Sequence, residues 1–353
     1  MVESAAGLQE RLDGGQLKRW QFWLGVVISV AFLWFALRSL RLGDVWQALQ
    51  HARYVWLLPG VAVYFIAVWA RAWRWHYLLR GLKRIPTGRM FPIVTIGYMG
   101  NNVYPARAGE VLRAYVLRKK EGVPISASLA TILVERAFDG VVMLAFVFLN
   151  LPELSALGGD SGLALSIRTL ALWGAGIFMA AVVAFVLLAI NPAFSMRAAG
   201  WLIDRLMPQR FRSPAEDLTR RFLSGLGSLR SPADVLMVLV TSTVIWLLET
   251  GKYWFVMHAF PFQVSFFSLM LMNGIVNLAT TLPSAPGYIG TFDAPGIAVL
   301  QAYGVEGAIA AGYTLVLHAA LWLPITLLGA YFMFRGRLQW GEVRAEMVEE
   351  SEA

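Results

Sequence analysis

The sequence predicts an all-α integral membrane protein with about six spanning helices and two re-entrant or broken helical hairpins. Three observations carry that class. The 353 residues are 58% hydrophobic and 15% charged, with a mean hydropathy of +0.60, whereas a soluble domain carries about 25% charge. Apolar stretches long enough to cross a bilayer, ~20 residues each, recur along the chain. Residues 97–110 and 277–293 place Asn, Pro, Gly and charge inside otherwise apolar sequence. In lipid an unpaired backbone amide or carbonyl costs several kcal/mol, so such breaks survive only against protein or a water-filled cavity.

In chain order, the spans are expected over residues 20–37, 54–73, 124–149, 169–190, 234–258 and 307–334. The first follows Lys18 and Arg19 but lacks a small-residue cleavage site, so it reads as an uncleaved helix. Trp20, Trp23, Tyr54, Trp73, Trp75, Tyr253 and Trp254 fall at segment ends, where aromatic rings anchor at the interface. The interrupted segments, 86–112 and 265–303, are placed as membrane-embedded hairpins. Basic links occupy 71–90, 113–120 and 197–230, and 192–232 reads as a cytoplasmic amphipathic loop. Residues 1–337 thus form a single polytopic domain, followed by an acidic cytoplasmic tail over 338–353.

Basic residues concentrate in those links and ahead of the first span, against Arg38, Arg41, Arg53 and Arg168 on the other side. That bias places both termini of a multi-pass membrane protein in the cytoplasm, although three arginines crowd the first outer loop. Three spans separate the interrupted segments, and an odd number inverts the second relative to the first. Asn101, Pro105, Gly109 and Glu110 answer to Asn277, Pro283, Gly287 and Asp293, with unequal spacings. Paired breaks in two halves of a membrane chain point to a transporter's substrate site, here in an inverted repeat whose tips meet near mid-bilayer.

Intramembrane charges mark function or paired structure. Glu135 and Asp139 share one helix face and Arg136 reaches Asp139 at i,i+3, while Arg107, Glu110 and Arg113 repeat every three residues. These six are expected to form one connected cluster. Either the carboxylates and guanidiniums satisfy one another, or the arginines hold a phosphate in their planar fork. Asn101 and Asn102 either cap a half-helix or bind a head group. Pro283, Pro286, Gly287 and Gly290 force non-helical backbone whose free amides suit an anion. Asp293 is a helix cap or a coupling residue, Glu249 and Lys252 an internal pair, and His318 a packing histidine or a proton relay.

Other chemistries lack their signatures. There is no cysteine, hence no disulfide or thiolate metal site, and the four histidines show no ligand spacing. No GxxxxGK[ST], HExxH or GxSxG pattern occurs. No cofactor or metal is expected, and the chain reads as no enzyme, since its acids sit among arginines. The +8 net charge is assigned to orientation and anionic lipid, with no nucleic-acid partner.

The run Asn101-Asn102-x-x-Pro105-x-Arg107-x-Gly109-Glu110-x-x-Arg113, then Glu135-Arg136-x-x-Asp139, then Leu282-Pro283-x-x-Pro286-Gly287-x-x-Gly290-Thr291-x-Asp293, resembles the flippase-like, lysylphosphatidylglycerol synthase transmembrane-region family. The resemblance covers about residues 18–337 without the aminoacyl-transfer domain found in some members. It implies a multi-pass protein of the inner (plasma) membrane that moves a lipid or lipid-linked amphiphile with a polar, anionic head between leaflets, with membrane lipids as partners. A homo-oligomer or a lipid-biosynthesis partner is compatible with it. The alternatives are a membrane-embedded transferase or phosphatase acting on a lipid-linked substrate, and an accessory subunit of a lipid-glycan pathway.

Overall fold

The computed structural model describes residues 23, 26–34, 38, 40–104, 107–150, 176, 179, 180, 183, 187, 191–226, 231–281 and 284–336. Among them there is no strand and the regular secondary structure is helical, as expected of a fold that must satisfy its backbone within each segment. After a short surface helix, α1 (Leu42–Gln50), comes α2 (Leu57–Leu79), a long apolar helix entered through the turn Tyr54–Trp56. The first interrupted segment is α3 (Thr87–Val103) and α4 (Ala108–Glu121), packed on each other as a hairpin. Gly122 ends α4 in the left-handed conformation, its N–H donating 2.8 Å to the Arg118 carbonyl, with Arg118, Lys119 and Lys120 in the last turn. Then α5 (Ile125–Leu149) follows.

The second half opens with two amphipathic helices, α6 (Pro192–Leu206) and α7 (Gln209–Gly225). Asn191 caps α6 by accepting the Phe194 N–H at 3.2 Å. The long α8 (Pro232–Met257) leads to the second hairpin, α9 (Phe266–Ala279) and α10 (Asp293–Ala302), and the chain then runs through α11 (Gly307–Arg335). Ser265 caps α9 at Ser268 N–H, 3.0 Å. Three described helical stretches, Tyr54–Leu79, Pro232–Met257 and Gly307–Arg335, are long and apolar enough to cross a membrane. The fourth long helix, α5, carries Glu135, Arg136 and Asp139. Of the expected span over 20–37, residues 23 and 26–34 are described and helical; the span over 169–190 falls largely, and the tail over 338–353 wholly, outside the described residues.

Among the described residues, each half therefore holds a long helix, a broken hairpin and a second long helix. The two halves are inverted, and contacts along α2 and α8 show it. Gly60 approaches Val256, Lys252 lies under Tyr64, Arg71 meets Glu249, and Arg74 meets Ser242. Further along, Arg80 pairs with Asp234. These helices run antiparallel, so α3 and α9 start from opposite ends of the pair. The packing is reciprocal. The last span, α11, lies on α3 of the first hairpin, and α5 lies on α9 of the second. Buried apolar residues form one core around Trp75, Ile93, Ile96, Leu112 and Tyr115, and another around Met257, Leu269, Met272, Leu300 and Leu317.

One expected boundary is corrected. Residues 71–79 were expected in a basic link, yet α2 continues to Leu79 with Arg71 and Arg74 buried. Trp75 and Tyr253 are likewise buried instead of interfacial; Trp75 donates to Thr131 Oγ1 at 2.9 Å. Alternating Trp and Arg resembles an interface in sequence, but these arginines find carboxylates inside the fold, which removes the need for water.

Candidate functional site

The tips of the two hairpins meet. Arg107, the N-cap of α4, donates from Nη2 to the Thr280 carbonyl at 3.4 Å, and its guanidinium lies 6.0 Å from the Tyr288 ring centroid. Arg107 (φ 55°) and Tyr288 (φ 61°) are the non-glycine residues with positive φ among the described ones, one at each tip. Left-handed backbone at a side-chain-bearing residue costs about 1–3 kcal/mol, and such strain collects at functional sites. Between the tips lies a cavity of about 160 Å³ lined by residues of both halves, among them Tyr98, Asn101, Arg107, Glu110, Asn277, Tyr288, His318 and Trp322.

The charges around this cavity form two layers. In the inner layer Arg113 donates to Glu135 Oε2 at 2.6 Å and stacks over Trp75 at 4.2 Å. Arg74 donates to Asp139 Oδ1 at 2.6 Å and Oδ2 at 3.2 Å, a bidentate pair, and to Ser242 Oγ at 2.6 Å. Trp246 adds an indole N–H to Asp139 at 3.0 Å. With Arg74, Glu135 and Asp139 side chains only 1% exposed, this layer is a closely paired ion network, as buried charge requires, although Arg74 Nε, Arg113 Nε and Glu135 Oε1 make no hydrogen bond.

The outer layer faces the cavity and is loosely paired. Arg136 lies 3.6 Å from Glu110 and 3.8 Å from Asp139, and Arg107 lies 4.0 Å from Glu110. Arg71 bridges the layers, reaching Asp139 at 3.5 Å and Glu249 at 3.2 Å, and Lys252 closes on the other Glu249 oxygen. The Nε groups of Arg71, Arg107 and Arg136, like those of Arg74 and Arg113 in the inner layer, have no hydrogen-bond partner, so what distinguishes the outer layer is its longer ion-pair distances. The cavity lining holds five basic residues (Arg71, Arg107, Arg113, Arg136, Lys252) and two acidic ones (Glu110, Glu249). A positive surplus with open donors in a low-dielectric pocket suits an anion.

The six charges expected to cluster do so: Arg107, Glu110, Arg136, Asp139, Arg74, Glu135 and Arg113 follow as one chain of contacts, with Arg74 as the link sequence reasoning missed. The signal was available, since Arg71 and Arg74 stand at i,i+3 with Trp75 beside them. Glu249 and Lys252 pair as expected. Asn102 donates to Thr326 Oγ1 at 2.8 Å and to the Trp322 carbonyl at 3.3 Å, tying α3 to α11. The Asn101 Oδ1 has no hydrogen-bond partner beside the cavity. Asn277 turns back to Asn273 Oδ1 at 2.8 Å.

Gly109 sits at the crossing of α3 and α4, where a Cβ would lie 1.9 Å from the Gly97 carbonyl oxygen. Pro286 and Gly287 form a single turn in the second tip, with Gly287 at φ 74° and Gly290 at φ 82°. Asp293, the first residue of α10, accepts the Gly290 N–H of the tip at 2.9 Å without capping its own helix, whose N-cap is Phe292, and also meets His318 at 2.8 Å. Pro105 and Pro283 lie outside the described residues.

Comparison with known proteins agrees with this architecture. Residues 22–329 match the family described as lysylphosphatidylglycerol synthase TM region. A UPF0104 membrane protein of Methanothermobacter thermautotrophicus is 26% identical, over 86% of this chain and 92% of its own length. One from Pyrococcus horikoshii is 24% identical, over 89% and 96%. A protein of Haloferax volcanii named glycosyltransferase AglD is 25% identical over 77% of this chain and 47% of its own length. That relative corrects the reading of this chain as no enzyme, because its name points to an enzyme-related family, at 25% identity and over 47% of its own length.

Proposed function

The chain belongs to the lysylphosphatidylglycerol synthase TM region family, and on that premise we propose that it moves an amphiphile with an anionic, phosphate-bearing head between membrane leaflets. One observation carries the reading: opposed hairpin tips enclose a cavity whose lining has five basic and two acidic residues. At about 160 Å³ it is smaller than the roughly 300–1,000 Å³ of pockets that enclose a drug-sized ligand. It suits a head group, with the tail left in lipid. Hairpins inserted from opposite sides meet at one site, and rocking one half against the other would expose that site alternately.

The orientation proposed is that of a plasma-membrane (inner-membrane) protein with both termini cytoplasmic and the basic helices α6 and α7 on that face. The absence of cysteine makes this simple to check. A single cysteine introduced on α7 should react with an impermeant maleimide only in inside-out vesicles, and labelling of intact cells would reverse the assignment.

The functional test is reconstitution into liposomes. Fluorescent phosphatidylglycerol should exchange between leaflets faster than the zwitterionic phosphatidylcholine analogue, and equal rates with and without protein would refute the proposal. A second reading is favoured by the relative named a glycosyltransferase. In it the same cavity presents a lipid-linked substrate to a transfer reaction, and the liposome lipids would be chemically altered instead of redistributed.

A further inference from the structure

His318, midway along α11, has both ring nitrogens against acceptors. Its Nδ1 lies 2.8 Å from Asp293 Oδ1, and its Nε2 lies 2.7 Å from the Gly287 carbonyl oxygen. A carbonyl never donates, and a neutral imidazole has one N–H and one bare lone pair. If the carboxyl is ionised and the ring neutral, one of these contacts sets a lone pair against an oxygen. Adding one proton to the pair satisfies both contacts, whether it resides on the ring or is shared with the carboxyl. The second Asp293 oxygen is already engaged by the Gly290 N–H at 2.9 Å, so the pair has one defined place for that proton.

This pair holds the second hairpin tip. Gly287 is wedged in place: a Cβ there would lie 2.7 Å from Trp322 Nε1 on α11 and 3.5 Å from the Asn102 carbonyl on α3. The Phe292 ring covers the imidazole at 4.5 Å. Losing the proton would release either Gly287 or Asp293 and loosen the tip that closes the cavity.

His318 also lines that cavity, and its electrostatic neighbours set the sign of the coupling. Asp293 comes from α10 and the Tyr288 hydroxyl from the tip itself. Across the cavity stand Arg71 on α2, Tyr98 on α3, Arg107, Glu110 and Arg113 on α4, Arg136 on α5, and Glu249 and Lys252 on α8. The surplus of positive charge opposes a further proton, and an anion in the cavity offsets that surplus.

We propose that Asp293 and His318 form a proton-binding site coupled to anion binding in the cavity, so that the head group and one proton bind together. The inference rests on the head-group reading of the cavity. Coupling is reciprocal, so the anion draws in the proton as strongly as the proton favours the anion.

The test uses full-length protein in two measurements. In weakly buffered detergent, adding phosphatidylglycerol should draw protons from solution, read with a pH indicator. In liposomes, exchange of fluorescent phosphatidylglycerol should fall from about pH 6 to about pH 8, by at most tenfold per pH unit for one proton. His318→Gln should abolish proton uptake and flatten the pH response. Asp293→Asn should weaken both, and it carries the test should His318→Gln fail to fold. No uptake by the wild type, or equal uptake by either variant, would overturn the proton site. Uptake without exchange would support the proton site and refute transport. Exchange with neither uptake nor pH response would refute the coupling alone.

Discussion

At the first hairpin, α3 and α4 touch backbone to backbone. A Cβ at Gly109 would fall 1.9 Å from the Gly97 carbonyl oxygen and 2.4 Å from the Asn101 nitrogen, and one at Gly100 would fall 2.7 Å from Gly109 Cα. Around them, Arg113 and Arg74 are held by Glu135 and Asp139. At the second hairpin the crossing is padded by side chains: a Cβ at Gly296 would meet Met272 Cε at 2.8 Å and Thr314 Cγ2 at 2.9 Å. Its tip is held by the His318–Asp293 pair, the His318 contact with the Gly287 carbonyl, the Ala285 N–H donated to Ser29 Oγ at 2.9 Å, the Arg107 bond to the Thr280 carbonyl and the close approach of Gly290 to the Ser29 backbone. The first hairpin is therefore anchored by buried ion pairs. The second is held by neutral hydrogen bonds and a single His–carboxylate pair, and is expected to open at a lower free-energy cost.

The largest expected effect tests that anchoring. Arg74→Ala should lower stability by roughly 3–5 kcal/mol, because it strands Asp139, 1% exposed, without its bidentate partner. Asn277→Ala in the second hairpin removes hydrogen bonds to Asn273 alone and should lower stability by about 1 kcal/mol. Thermal unfolding in detergent measures both. Equal losses would erase the distinction between a charged anchor and a more weakly held partner.

The glycines give the next contrast. Gly109→Ala must push α3 and α4 apart and should lower stability by about 3 kcal/mol, at the upper end for overpacking. Gly296→Ala meets the far end of a flexible methionine and a threonine methyl, and should lower it by about 1 kcal/mol. If Gly296→Ala proves the worse of the two, the second hairpin is as tightly seated as the first.

What the sequence revealed follows from which signals are local. The two breaks were legible because Asn, Pro and Gly inside apolar sequence have no other account in lipid. Odd span parity then implied inversion, which the antiparallel ladder from Gly60–Val256 to Arg74–Ser242 realises. The clustering of Glu110, Glu135, Arg136 and Asp139 was legible because three of the four lie within one helix. Arg71 and Arg74 were not, since their partners lie 65 and more residues away and their setting of Trp69, Trp73 and Trp75 imitates an interface. The Asp293–His318 contact spans 25 residues and two helices. Each residue alone reads as a cap or a packing histidine, and only their meeting gives the proton site.

Arg107 separates the two hairpins' roles with the smallest change in stability. It stands at the tip with its side chain 30% exposed, one ion pair at 4.0 Å and a long bond to the Thr280 carbonyl. Such loose pairing contributes at most about 1 kcal/mol, and its left-handed backbone costs a similar amount. Arg107→Gly removes both and adds a chain-entropy penalty of about 0.5–1 kcal/mol, so the melting temperature should change little. Arg107→Lys keeps the charge but loses the planar fork. If the open guanidinium grips a phosphate, exchange of phosphatidylglycerol should drop sharply in Arg107→Lys and further in Arg107→Gly, with both proteins folded. A large fall in melting temperature alongside lost exchange would instead make Arg107 part of the anchor and move the head-group contact to Arg136 and Arg71. Full exchange in Arg107→Gly would leave the first tip with no direct hold on the lipid and shift that task to the second.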